Sequence, residues 1–257
     1  MSLPRRHPTP RRFRERATFR EWTPIDLRSS ACEHGTLGHM THSDVTGPDR
    51  ATGFTIRFDV RMPHARWGPL FHVFRVEQRG ARLHWEPSEF PTRTGSLLGG
   101  ADVGLFLEPP LVDELDALTL ETSPMVVAVA AGHRLADRDE LAVADILDLP
   151  FPGADGLHPE WTSFWTLDRY RGGPPEFVDG VVRTAEEALE VVASGRAIAT
   201  FPASFADGLA HPGVLTLPLR DGPQVRTRLV WRAGDDNPLV RSLIDLASAW
   251  TRVRRAR

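Results

Sequence analysis

Between Phe54 and Leu107 the chain passes three times through a strand-like pattern, with helical spacing in the gaps. FTIRFDV (54–60) alternates apolar and polar residues, which puts Phe54, Ile56 and Phe58 on one face of a strand. Trp67, Leu70, Phe71 and Phe74 then recur at the spacing of one helix face. ARLHWE (81–86) predicts a second strand, and Thr92 to Leu98 a short helix stopped by Gly99-Gly100. ADVGLFL (101–107) is a near-continuous apolar run, the pattern of a strand covered on both faces. Strands separated by helices join in parallel through right-handed crossovers, so this stretch commits the chain to an α/β fold.

The second half repeats the theme. Met125–Ala131 (MVVAVAA) predicts a buried strand, and 144–147 a short helix ended before Pro150. Trp161, Phe164, Trp165 and Leu167 mark an aromatic helix bounded by Gly172-Gly173-Pro174, and the Trp161–Trp165 stripe reads as core. Thr184-Ala185-Glu186-Glu187 is a T-x-x-E capping box, so a helix starts there and Gly195 stops it. AIATF (197–201), VLTLPL (214–219) and VRTRLVW (225–231) predict further strands. Asn237-Pro238 opens a last amphipathic helix through Leu239, Leu243, Leu246 and Trp250.

Composition narrows the function classes. With 257 residues and 41% apolar content, the chain can bury a sizeable core. A net charge of −3 excludes a generally basic nucleic-acid binder, and no window approaches a membrane span. The single cysteine, Cys32, excludes an intrachain disulfide framework and fits a reducing compartment. The charge is uneven. Residues 1–53 hold nine arginines against six acidic residues, a net +3, so the rest carries −6. That Arg/Pro-rich extension lacks an apolar signal region and offers no core, so it reads as disordered, with a short helix over 11–22. Cys32, His34, His39 and His42 have zinc-ligand chemistry, but their spacing matches no structural zinc motif and the segment has no scaffold; no metal site is expected. The arginines at 5–20 read as a solvated tail that contacts phosphate only nonspecifically. No G-x-S-x-G elbow, G-x-G-x-x-G turn or P-loop occurs, so neither an enzyme nor a bound cofactor is expected.

Four segments in order carry a family resemblance: LLGGADVGLFLEP (97–109), MVVAVAAGHRLADRDELAVADILDLPF (125–151), RTAEEALEVVASGRAIATFPAS (183–204) and LVWRAGDDNPLVRSLIDLA (229–247). Together they resemble the effector-binding domain of LysR-type transcriptional regulators. The resemblance implies a two-lobed α/β fold of the periplasmic-binding-protein kind (type 2), each lobe a mostly parallel sheet flanked by helices. Lobe I would comprise 54–123 and 232–257, and lobe II 124–231, with hinges near Ser123-Pro124 and Trp231. The family places a winged helix-turn-helix before this domain. Residues 1–53 show no such pattern, so this chain alone is expected not to recognise a DNA sequence. A stand-alone domain, a gene remnant and a misassigned start, with Met40 as an alternative, all remain open.

Open α/β sheets bind ligands at the carboxyl ends of strands, near helix amino termini. Three segments sit there: Arg61-Met62-Pro63-His64, the stretch 89–94 with Pro91, Thr92 and Arg93, and Arg183-Thr184 with Phe201-Pro202. The resemblance puts the first two in one lobe and Phe151, Thr184 and Pro202 in the other, with the effector between. Arg61, His64 and Arg93 beside free helix amides favour an anion, so a small carboxylate is the expected ligand. Thr92 and Thr184 also read as ordinary N-caps. The resemblance further implies a cytoplasmic homodimer that pairs head-to-tail, the 67–74 helix of one copy beside lobe II strands of the other. The alternative function is a solute-binding protein of the same broad fold.

Overall fold

The computed structural model describes residues 53–59, 64–93 and 96–255. The readings on the extension, on Cys32 and its neighbouring histidines, and on Arg61 lie outside the described residues.

The alternating segment at Phe54 forms β1 (Gly53–Asp59), followed by α1 (His64–Glu77), β2 (Arg82–Ser88) and β3 (Val103–Leu107). β1 lies between β2 and β3 and pairs in parallel with both. Among the described residues of the stretch 92–98 no helix is found: Thr92 makes an isolated bridge with Leu157, and residues 97–100 run as bends and turns. Local chemistry favours this. Ser96 Oγ accepts from the Gly99 N–H at 3.1 Å, and the Ala101 N–H donates to Leu98 O at 3.0 Å. Gly99 adopts φ +57°, and glycines cost a short helix more entropy than its few apolar contacts return. Thr92 is therefore not an N-cap.

β4 (Leu115–Ala130) is 16 residues long and changes partners midway. Its residues 115–124 pair with β7 (Gln224–Arg232), and its residues 125–130 pair with β5 (Ala199–Pro202) and β6 (Val214–Pro218). Every one of these pairings is antiparallel. Parallel pairing among the named strands is thus confined to β1–β3, and the sheet as a whole is mixed, in the order β2-β1-β3-β7-β4-β5 with β6 on β4. β7 also pairs along β3, from Val103↔Trp231 to Leu107↔Thr227. The strand at 225–231, grouped with the second lobe on sequence order, is by its hydrogen bonds a strand of the first group.

Helices close the structure: α2 (Pro159–Trp165), α3 (Asp168–Arg171) and α4 (Ala185–Ala193) accompany the second group, and α5 (Pro238–Arg255) returns to the first. Asn237 Oδ1 accepts from the Leu239 N–H at 3.0 Å, with Pro238 at the first helical position, so α5 starts where the N-cap pattern places it. Trp67, Leu70, Phe71 and Phe74 of α1 and Val240, Leu243 and Ala247 of α5 all enter the main core.

Candidate functional site

The residues that follow β2 tie the two groups together. Leaving the strand, their backbone groups need new partners, and they find them across the seam. The Phe90 N–H donates to Arg183 O at 3.4 Å, the His158 N–H to Pro91 O at 2.9 Å, and the Arg93 N–H to Gly156 O at 3.1 Å. Arg93 Nε adds a bond to Leu157 O at 3.3 Å. The Phe90 ring packs 4.7 Å from Trp161, tilted by 42°.

α4 presents its amino terminus at the same seam. Thr184 Oγ1 accepts from the Glu187 N–H at 3.3 Å. The Glu187 carboxylate reaches back to the Arg183 N–H at 2.6 Å, one residue beyond the N-cap itself. Between the groups lies a cavity of about 40 Å³, lined by Phe90 and Leu107 on one side and by Ala185, Thr200, Pro202 and Phe205 on the other. A space of that size suits a water molecule and no larger ligand.

The sequence-predicted residues separate into three sets. Pro202 lines the seam cavity, and Thr184 caps the helix whose first residue, Ala185, lines it too. Pro91, Thr92 and Arg93 run along a much larger groove of about 890 Å³ that opens beside the seam. Phe151 joins neither. It is buried, bridges in parallel to Phe177, and has the Arg171 guanidinium 5.6 Å from its ring centre. His64 is the first residue of α1. Phe90 falls within the predicted stretch 89–94, whereas Leu107 and Phe205 lie outside the segments predicted for the site, because apolar residues near strand ends carry the same signal as core. Their one legible mark is position, at or just beyond the carboxyl ends of strands.

The crossing region is held by charge. Glu108 follows β3 with φ +38°, and its side chain is 7% exposed. Its carboxylate accepts from the Arg226 backbone N–H at 2.6 Å, from Arg226 Nε at 2.9 Å and from Nη2 at 3.1 Å. That hydrogen bonding raises the Arg226 pKa above the ordinary arginine value. Burial pushes its neighbour Arg228 the other way, and the Arg226 charge adds to the effect. Ser123 Oγ, at the point where β4 changes partners, accepts from the Ser204 N–H at 3.0 Å. On the far side, Arg66 of α1 pairs with Glu121 of β4. Among the described residues no group of three His, Cys, Asp or Glu side chains is placed to hold a metal ion, and no helix is long and apolar enough to cross a membrane.

A mixed sheet that passes between two groups on shared strands, with strand ends and a helix amino terminus meeting at the seam, is a two-lobed ligand-binding fold of the periplasmic-binding-protein type. The model of the LysR substrate binding domain matches residues 54–252, and the chain belongs to that family. Solved structures share the fold at low identity. The effector-binding domain of a BenM variant is 18% identical with a TM-score of 0.65, covering 79% of this chain and 96% of its own. The BenM effector-binding domain with its effector benzoate is 20% identical with a TM-score of 0.61, covering 79% and 94%. The effector-binding domain of QuiR in complex with shikimate is 16% identical with a TM-score of 0.63, covering 78% and 97%. No curated protein matches the chain.

Proposed function

We propose that this chain is a regulatory sensor that binds a small anionic metabolite between two lobes and, with a DNA-binding portion, controls transcription from the cytoplasm without catalysis. Lobe I takes β1–β3, β7, the first part of β4, α1 and α5; lobe II takes the remaining strands and helices. The observation that carries the reading is the seam, where residues beyond β2, the amino terminus of α4 and the carboxyl end of β5 meet around one cavity walled from both lobes. The first N–H groups of α4 have no acceptor within the helix and carry a partial positive charge, which favours an anion. Benzoate and shikimate, the ligands named for two structural relatives, are both ring carboxylates. A homodimer belongs to the same reading. Val76 (51% exposed) and Trp85 (42%) on lobe I, and Leu215 (41%) on β6, are the apolar surfaces it would cover.

A thermal-shift screen of small organic acids, followed by titration of the best one, tests the seam. Thr184→Ala should cost about 1 kcal/mol of stability as a lost cap. If the ligand sits against α4, affinity should fall roughly tenfold or more beyond that. Stability loss with unchanged affinity would remove Thr184 from the site. Light scattering at micromolar concentration should report a dimer.

A further inference from the structure

β2 ends at Ser88, and Pro91, which has no N–H, keeps the next residues from continuing its ladder. Residues 90–93 dock on lobe II instead. The Phe90 N–H donates to Arg183 O, the His158 N–H to Pro91 O, the Arg93 N–H to Gly156 O, and Arg93 Nε to Leu157 O. The bonds of His158 and Arg93 flank the antiparallel bridge between Thr92 and Leu157. Phe90 adds its ring contact with Trp161. With Leu107, Phe90 is also the lobe I wall of the seam cavity. The residue that ties this segment to lobe II therefore also closes the cavity.

The tie is built unlike the other connection between the lobes. β4 runs through both, and a ladder with β7 supports it from Leu115↔Arg232 to Pro124↔Gln224. The bridge at Thr92 belongs to no ladder, and Thr92 and Arg93 are exposed. Exposed backbone bonds with few buried apolar contacts open at low free energy, whereas a ladder gives way only with its whole strand.

We propose that residues 90–93 are a releasable strap. They hold the two lobes shut over the seam, and their detachment from lobe II as a unit is the opening step that exposes the cavity behind Phe90. The proposal takes the two lobes from the reading above and needs no ligand. In the terms of that reading, the closed strap and a seam-bound metabolite exclude one another, because the closed cavity holds nothing larger than water. The strength of the strap then sets the fraction of chains open to a ligand.

The backbone of His158 provides the test. It precedes α2 with φ −64° and ψ 125°, and Leu157 before it is bridged to Thr92. Proline fits that φ, and the residue before a proline favours the extended region that a bridged residue occupies. His158→Pro therefore deletes the N–H that donates to Pro91 O and leaves the path of the chain unchanged. Arg93→Ala deletes the side-chain bond to Leu157 O and keeps the backbone one.

Opening is read as alkylation by iodoacetamide of one introduced thiol, in the full chain carrying Cys32→Ser. Ala185→Cys places the thiol at a buried position of the seam lining, and Ala247→Cys places it in the lobe I core as the reference for global unfolding. A lost bond accelerates alkylation only if that bond is broken in the opening that exposes the thiol. Seam alkylation is expected to be about tenfold or more faster than core alkylation. His158→Pro and Arg93→Ala should each speed it a further threefold to tenfold, roughly the effect of one hydrogen bond. Equal rates at the two thiols, or a seam rate that neither variant changes, overturns the strap. Circular dichroism melts confirm folding; if His158→Pro does not fold, Arg93→Ala decides. Because no ligand is added, the strap can fail while the acid screen of the seam succeeds, and the reverse.

Discussion

The lobe I sheet is finished differently on its two faces. On one, Phe54, Ile56 and Phe58 of β1, Val103 and Leu105 of β3 and Leu229 of β7 lie beneath α1 and α5 in the main core. On the other, the intervening residues are Arg57, Gly104 and Phe106, with Arg226, Arg228, Val230 and Arg232 along β7. There, Leu98, Phe106 and Val230 form a separate small cluster under Leu97, Leu111, Leu115 and Ala117. The backbone is the same; only the parity of the residue number differs. A helix lays a continuous apolar stripe on a sheet, whereas turns bring isolated side chains. On the face covered by turns two of these arginines are ion-paired, Arg57 with Glu86 and Arg226 with Glu108, and burial lowers the Arg228 pKa.

Substitutions on the two faces should therefore differ in size and kind. The largest loss is expected from Phe74→Ala on α1. Its ring is fully buried 5.3 Å from Phe54, and removal should cost about 3–5 kcal/mol in urea unfolding. A loss below about 1 kcal/mol would mean that the helix-covered face is not the stabilising one.

Glu108→Ala, at the edge of the other face, comes next. It removes three hydrogen bonds from a buried carboxylate, but Arg226 is 47% exposed and recovers hydration, so about 2–3 kcal/mol is expected. Glu108→Gly should lose about 1 kcal/mol less than Glu108→Ala, because a glycine accepts φ +38° without a Cβ clash. Equal losses in the two variants would show that the backbone there is unstrained.

Gly104→Ala probes the small cluster directly. A Cβ at that position would meet the Phe106 ring and come within 2.9 Å of Leu98 Cδ2. Overpacking should cost about 1–2 kcal/mol. A neutral result would mean that this face has slack to absorb a methyl group, and would sharpen the contrast with Phe74.

Much of this was legible in the chain. The alternation in FTIRFDV and VRTRLVW assigns each residue to a face, the spacing of Trp67, Leu70, Phe71 and Phe74 marks the helix that covers one of them, and T-x-x-E at Thr184 marks a helix start beside the seam. These are local properties, determined by side-chain period and by hydrogen bonds within a turn of the chain. Strand partnership is not local. That β7 pairs with β3 and the first part of β4, and that β4 changes partners after Pro124, depends on backbone hydrogen bonds between residues far apart, which any apolar strand could make. The same holds for 92–98. Its pattern is compatible with a helix, but Thr92 bridges to Leu157, 65 positions later in the chain, and that contact with its neighbours outweighs a weak helix interrupted by glycine. The sequence by itself determined which face each side chain takes; only the tertiary structure decided which faces are covered by helices and which by turns, because covering a face takes partners that the local pattern does not name.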